Sequence, residues 1–244
     1  MKPTKLLITG GAGNVATFLR QHWGDRHTLR LADVRPVEDL SPHEEAVEFD
    51  VCDLDAFTRA CEGIDTVVHL AADPSIRADF YESLLQRNVI GAYNGFEAAR
   101  RAGCRRLVFA SSINAVGGYE RSRTPVDWDA PVYPSNVYGA TKCWGEALAR
   151  VYSHTHGLSC LCVRLTRPRF RQDDFDPEAD FLGVSARDTA QVFLRCVEAP
   201  EEVEFGIVHG VSNHDGYWFQ VSTSDERIGF EPEDGSAFPK TGDT

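Results

Sequence analysis

The sequence predicts an α/β fold: a doubly wound parallel sheet with helices on both faces and a small C-terminal substrate-binding part. Three observations predict it. Short apolar runs of strand length alternate with segments of helical length through the first two-thirds of the chain. Several of those runs are apolar almost throughout, such as Val67-Val68-His69-Leu70-Ala71 and Leu107-Val108-Phe109-Ala110, as strands covered on both faces are. A glycine-rich turn leaves the first run and opens the first helix.

Lys5–Thr9 reads as the first strand and Asn14–Trp23 as the first helix, with the glycines between them. Thr28–Asp33 and residues 46–50 follow as strands, then residues 54–61 as a helix and 66–70 as a strand. A long helix covers 83–101, a strand 106–110, a second long helix Val137–His156 and a strand 159–164. Residues 165–185 carry Pro168, Pro177 and a charge-dense stretch, and read as loop. A helix over 186–198, a strand over 204–209 and a polar, aromatic tail complete the chain. Residues 1–164 form a nucleotide-binding core that includes the helix at Val137–His156. Residues 165–244 supply substrate-binding loops without a Gly/Ser linker that would make them a separate domain.

At 244 residues the chain is one domain, and its 42% hydrophobic and 25% charged composition is that of an ordinary globular protein. A net charge of −12 repels phosphate backbones and argues against a nucleic-acid partner. No apolar run approaches the roughly 18–20 residues of a membrane span. The run after Lys5 is too short for a signal peptide, so the expected compartment is the cytosol. The seven cysteines include no Cys-x-x-Cys pair, and nothing has metal-ligand spacing, so no metal site is expected.

Gly10-x-x-Gly13-x-x-Ala16 sits directly after the first strand. Glycines there permit a tight turn and close approach of backbone to a diphosphate. The helix that opens at Asn14 and Val15 offers free N–H groups and the positive end of its dipole. Asp33 ends the second strand, 20 residues after Gly13. A carboxylate there accepts from ribose hydroxyls and repels a 2′-phosphate, which favours NAD over NADP. Arg35, two residues on, softens that preference, and a turn aspartate is the plainer alternative.

Tyr138 and Lys142 stand four apart, on one face of a helix. A phenol is a poor base near neutrality until a neighbouring cation favours its ionised form. Lys142 is the only lysine between residues 6 and 239, in a chain whose other basic residues are nearly all arginine. An ammonium is a compact charge that also bonds ribose hydroxyls. Ser111 and Ser112 follow the strand at 106–110, at the sheet edge where ligands sit. Ser112 is the first choice to hold a substrate hydroxyl and Ser111 the second; turn chemistry is the alternative for both.

Thr9-Gly10-Gly11-Ala12-Gly13, Asp33, Ser112 and Tyr138-x-x-x-Lys142 together resemble the extended short-chain dehydrogenase/reductase family, the NAD-dependent epimerases and dehydratases with a Rossmann core. The resemblance implies that Asp50 and Val51 contact adenine. It implies that Leu70, Ala71 and Ala72 line the diphosphate and nicotinamide, and that Asn88 supports the catalytic loop. Within the family the chain is similar to the uronate dehydrogenases and, about equally, to the NAD-dependent glucose-6-phosphate dehydrogenases of the same branch. That similarity implies oxidation at C1 of a free sugar, an aldohexuronate or a phosphorylated hexose, with Ser75, Ser112, Asn114 and Tyr138 touching it.

Two departures stand out. Ile113-Asn114 replaces the Asn-His that usually follows the paired serines, and the loop after the sixth strand reads Arg167-Pro168-Arg169-Phe170-Arg171. Arg169 and Arg171, with Arg167, suit clamping a substrate anion and equally suit pairing with Asp173, Asp174 and Asp176. The other activities to weigh are a nucleotide-sugar epimerase or dehydratase and a non-catalytic NAD-binding regulator. The resemblance also implies a homo-oligomer, a dimer or higher, paired through the two long helices.

Overall fold

Nine strands and five helices of the described residues place the site, and the chain alternates between them as the apolar pattern predicts. The strands are β1 (Lys5–Thr9), β2 (Thr28–Asp33), β3 (Glu44–Glu48), β4 (Thr66–His69), β5 (Arg106–Ser112), β6 (Ser159–Leu165), the short pair β7 (Arg167–Pro168) and β8 (Gly183–Val184), and β9 (Phe205–Gly210). The helices are α1 (Asn14–Trp23), α2 (Leu54–Ala60), α3 (Gly91–Arg101), α4 (Val137–His156) and α5 (Ala186–Val197). These come from a computed structural model that describes residues 4–121, 126–168, 183–214 and 225–236.

Seven strands form one sheet in the order β3-β2-β1-β4-β5-β6-β9, and every neighbouring pair is parallel. The order reverses between β1 and β4, and in such sheets ligands bind in the crevice above that reversal. The fold class the sequence predicts is the one observed. Strand residues alternate between faces, so each strand feeds two cores. Leu6, Ile8, Val68, Val108 and Val163 pack under α1 and α5. Leu7, Val67, Leu107, Phe109 and Cys162 pack under α2, α3 and α4. Among the described residues no helix is long and apolar enough to cross a membrane.

Three elements differ from their predicted bounds by two residues or more. β3 lies two residues earlier than 46–50. It is an edge strand paired only with β2, from Leu29 opposite Glu44 to Asp33 opposite Glu48, so charge is tolerated there and apolar patterning misplaces it. β5 runs on through Ser112 because Ser111 and Ser112 pair with Arg164 and Leu165 of β6. The helix predicted at 83–101 starts at Phe80, capped by the Asp79 carboxylate, and its first half, Phe80–Ile90, is wound as a π-helix. Within 165–185, taken as loop, β7 pairs with β8. Arg169 and Arg171 lie outside the described residues, as do Asp173, Asp174 and Asp176.

Candidate active site

The turn between β1 and α1 is built around Gly10, whose φ of +71° lies in the left-handed region that favours glycine. A Cβ there would stand 3.0 Å from the Ala71 nitrogen, so a side chain would close the gap between β1 and β4. Gly13 donates its N–H to the Gly10 carbonyl at 2.9 Å and caps α1 with no side-chain bond. The first N–H groups of α1 therefore lack a side-chain acceptor and face a site suited to an anion. The Asp33 carboxylate accepts from the Ala12 N–H at 3.1 Å and the Arg35 N–H at 3.0 Å, which fixes it at the rim of the turn. Arg35 folds back to donate to the Ala12 carbonyl at 3.0 Å.

Thr9 closes the crevice from below. Its hydroxyl oxygen receives the N–H groups of Leu70 and Ala71, both at 3.2 Å, so its own proton goes to His69 Nδ1 at 2.8 Å. His69 is then the Nε2–H tautomer. Burial, reinforced by the charge of Lys142, pushes its pKa down to about 3, so it is neutral.

Lys142 and Tyr138 share the buried face of α4. The Lys142 ammonium donates to the Ala110 carbonyl at 2.9 Å and lies 5.1 Å from the Phe109 ring centre and 5.6 Å from that of Tyr138. Burial depresses its pKa to about 8. The Tyr138 phenol is raised above its usual value, mainly by burial; Ser112 pulls it down and the Asp73 carboxylate pushes it up. The spacing argument leads one to expect a phenol lowered by Lys142; here burial dominates and the phenol is raised instead.

Two glycines let α4 come this close to the sheet. A Cβ on Gly139 would sit 2.3 Å from the Asn114 carbonyl oxygen, and one on Gly145 would sit 2.2 Å from Cζ of Phe109. A polar chain joins the end of β5 to the start of α4. Ser112 Oγ accepts the N–H and side-chain amide of Asn114, both at 3.2 Å. Asn136 donates to Asn114 Oδ1 at 2.8 Å and caps α4 by accepting the Gly139 N–H at 2.7 Å. Sequence reasoning missed Asn136, although an Asn just before a helix is a recognisable cap.

Strand alternation separates the two serines. Ser112 engages Asn114, whereas the Ser111 hydroxyl donates to the buried Glu146 carboxylate of α4 at 2.6 Å. Ser111 therefore borders the cavity with its hydroxyl already engaged, and the structure does not offer it as a substrate donor. Asn88 lies behind the wall rather than in it. Its amide donates to the Asp73 carbonyl and to Thr141 Oγ1, and its oxygen accepts the Asp73 N–H at 2.8 Å, tying the loop after β4 to α4.

One open cavity of about 1340 Å³ collects the rest. Gly10, Gly13, Asn14, Val15 and Asp33 line one end beside Asp50 and Val51, with Leu70, Ala71 and Ala72 in the middle. Ser75, Ser112, Asn114, Tyr138, Lys142 and Arg167 also line it and, unforeseen from the sequence, so do Arg77 and Arg87. That volume exceeds the roughly 300–1,000 Å³ of a typical ligand cleft, leaving room for a dinucleotide and a small second ligand. The glycine cradle, the uncapped helix start and the carboxylate at the end of β2 fit NAD.

Fold and site together define a dinucleotide-dependent oxidoreductase. The chain belongs to the NAD-dependent epimerase/dehydratase family, whose model matches residues 6–178, and its cofactor is NAD. It is 32% identical to the NAD-dependent glucose-6-phosphate dehydrogenase of Haloferax volcanii, over 95% of this chain and 94% of that one. It is 31% identical to the uronate dehydrogenase of Pseudomonas putida, over 95% and 85%. Among solved structures it is similar to a glucuronic acid dehydrogenase from Chromohalobacter salexigens, with a TM-score of 0.85 and 33% identity over 96% and 86% of the two chains. A uronate dehydrogenase from Agrobacterium tumefaciens, a tyrosine-to-alanine variant complexed with NAD, superposes with a TM-score of 0.82 and 32% identity over 95% and 85%.

Proposed function

We propose that this protein oxidises C1 of a free cyclic sugar to the lactone with NAD, the sugar being an aldohexuronate or a phosphorylated hexose. The observation that carries the reading is the placement of Tyr138, Lys142 and Ser112 on one wall of the cavity that the glycine turn and Asp33 open. The names of the relatives support it: uronate dehydrogenase, glucose-6-phosphate dehydrogenase and an L-arabinose 1-dehydrogenase of Haloferax volcanii, the last 32% identical over 96% of this chain.

NAD, when bound, supplies the acceptor for a hydride. The residues of the chain do the remaining work. Ser112 Oγ orients the C1 hydroxyl, and Tyr138 Oη takes its proton as general base. Lys142 supplies the charge that favours the phenolate in a site that burial otherwise makes unfavourable to it. Asn88 and the Asn114–Asn136 chain hold the loops so that the reacting atoms meet in one geometry. Ser75, Asn114 and Arg167 line the same cavity and, in this reading, contact the rest of the sugar. Arg169 and Arg171 remain assigned to an anionic substituent on the resemblance alone.

Two further readings belong to this proposal. The chain works as a homo-oligomer, for which Tyr93 on α3 and Trp144 and Val151 on α4 leave exposed apolar surface on the two long helices. It works in the cytosol, where its seven unpaired thiols match a reducing compartment.

The test is Tyr138→Phe with a panel of uronic acids, phosphorylated hexoses and neutral aldoses, following NADH absorbance. Turnover disappears while NAD binding, read by fluorescence titration, stays near that of the unaltered protein. Surviving turnover refutes the proton-transfer assignment.

A further inference from the structure

We infer that the buried ion pair between Glu146 and Arg164, together with Ser111, is the pin that sets the register of α4 on the sheet and so positions Tyr138 and Lys142 against Ser112. The inference rests on the proposed role of those three residues.

Glu146 follows Lys142 by four residues and Tyr138 by eight, so the three lie along one stripe of the helix. Its carboxylate accepts a fork of two bonds from Arg164 of β6, Nε to Oε1 and Nη2 to Oε2, both at 2.9 Å. Oε1 also accepts the Ser111 hydroxyl of β5 at 2.6 Å. Arg164 and Ser111 face each other across the β5–β6 pairing, and Ser112 is the next residue along the chain. One carboxylate on the catalytic helix is therefore bonded to both strands beneath it, next to the residue that orients the substrate. All three residues are buried, Arg164 completely.

Stability does not explain the pair. Two charges taken out of water repay their desolvation poorly, and apolar replacements of similar size are often neutral or stabilising. Here Arg164 keeps Nη1 buried without a partner, so even its donors are not all satisfied.

Apolar packing anchors the C-terminal half of α4, where Leu148, Ala149 and Tyr152 enter the core beneath it. Nearer Tyr138 and Lys142, Gly139 lies against the Asn114 carbonyl and Gly145 against the Phe109 ring, which permits close approach but offers no knob to lock. A bidentate fork is directional. Without it this stretch of α4 is tied to the sheet only by the Lys142 bond to the Ala110 carbonyl and the Asn136–Asn114 link, and Tyr138 and Lys142 lose the support that fixes where they stand. NAD contacts on β1, β2 and β4 do not depend on this register. The pair positions the groups of the chemical step, and of the cofactor contacts only the ribose bond of Lys142 shares that register.

The test removes both charges at once in the full chain with Glu146→Leu/Arg164→Met, measured beside Tyr138→Phe. Urea denaturation reads folding, fluorescence titration reads NAD binding, and kcat and KM are taken on the sugar that the unaltered protein oxidises best. The expected double variant is folded, binds NAD within about twofold of the unaltered protein and loses kcat by about 10- to 100-fold with little change in KM, the pattern of a misplaced catalytic group. A folded double variant with kcat within threefold of the unaltered protein overturns the inference. If the double variant does not fold, Arg164→Lys decides. It keeps the charge and gives up the fork, and an unchanged kcat in that variant overturns the inference as well. Failure of the underlying reading looks different: Tyr138→Phe stays active, or the unaltered protein reduces no NAD with any sugar.

Discussion

Replacing Lys142 with Met should give a protein that is dead and yet more stable. The lysine is 4% exposed, and burial takes its pKa from 10.5 to about 8. At roughly 1.4 kcal/mol per pH unit, that difference is about 3 kcal/mol of desolvation carried by the folded state. Met fills similar volume without charge, while losing the bond of a charged donor to the Ala110 carbonyl, worth about 2 kcal/mol. The variant should gain about 1 kcal/mol near pH 7. The sign of the pH dependence follows from the depressed pKa. Below pH 8 the lysine is protonated in both states, so the folded protein bears the whole cost. Between pH 8 and 10.5 the folded state sheds the proton while the unfolded chain keeps it, and the cost fades. Above 10.5 it is gone, and the advantage of Met has vanished or reversed.

Absolute stability is a poor readout in that range. Buried thiols such as Cys162 and Cys196 are raised, so they ionise only on unfolding, and alkali weakens both proteins alike. The quantity to measure is the difference between the two proteins in urea denaturation, without cofactor and with reductant, at several pH values from 7 to 10.5. A Met variant less stable than the unaltered protein at pH 7, or a difference that does not change with pH, refutes the reasoning.

Two other substitutions test the walls of the site. Asp33→Ala removes the carboxylate at the end of β2; KM for NAD should rise about tenfold, the loss of a charged hydrogen bond, and the ratio of NADP to NAD efficiency should climb. An unchanged ratio in initial-rate kinetics would show that Asp33 does not read the ribose. Gly145→Ala places a methyl group 2.2 Å from Cζ of Phe109, far inside contact distance, and should destabilise by about 1–3 kcal/mol in urea denaturation. Pairing it with Phe109→Leu should restore much of the loss, and no recovery would mean that the clash lies elsewhere.

Much of the site is legible because its parts are local. The glycine turn at Gly10–Gly13, the carboxylate of Asp33 and the i, i+4 pair of Tyr138 and Lys142 each need only a few neighbouring residues and one period to read. The scarcity of lysine singles out Lys142 further. What escaped depends on which strand comes to lie beside which helix. Glu146 and Arg164 are 18 residues apart and Ser111 a further 35 from Glu146, so no window contains the cluster. The signal was an arginine in the otherwise apolar run Cys160-Leu161-Cys162-Val163-Arg164-Leu165: a charge on a buried strand requires a partner. The hydroxyl bond that Ser111 makes is hard to foresee for a related reason. Two adjacent serines at a strand end point to opposite faces, and sequence alone does not say which face holds the ligand.

The same device recurs at the other end of the sheet, which argues that it is a way of fixing helices rather than an accident of one pair. Arg106 opens β5, is fully buried, and bonds the carbonyls of Cys196, Val197, Ala199 and Pro200 at 2.7–3.1 Å, with Nε to Ser159 Oγ at 2.8 Å. Those of Cys196 and Val197 belong to the unsatisfied last turn of α5, where the helix dipole is negative, and those of Ala199 and Pro200 lie just beyond it. Burial lowers the Arg106 pKa only to about 10, so the guanidinium stays charged at neutral pH. At the opposite end of α5, Ser185 caps the helix, and Asp188 accepts from the Ser212 hydroxyl at 2.6 Å and the Glu233 N–H at 2.8 Å. Each face of the sheet thus has a helix held by a buried arginine, α5 through backbone carbonyls and α4 through Glu146. The apolar cores supply cohesion but tolerate small slides. Directional bonds to charge do not, and it is the helix bearing Tyr138 and Lys142 whose slide would be felt in the reaction.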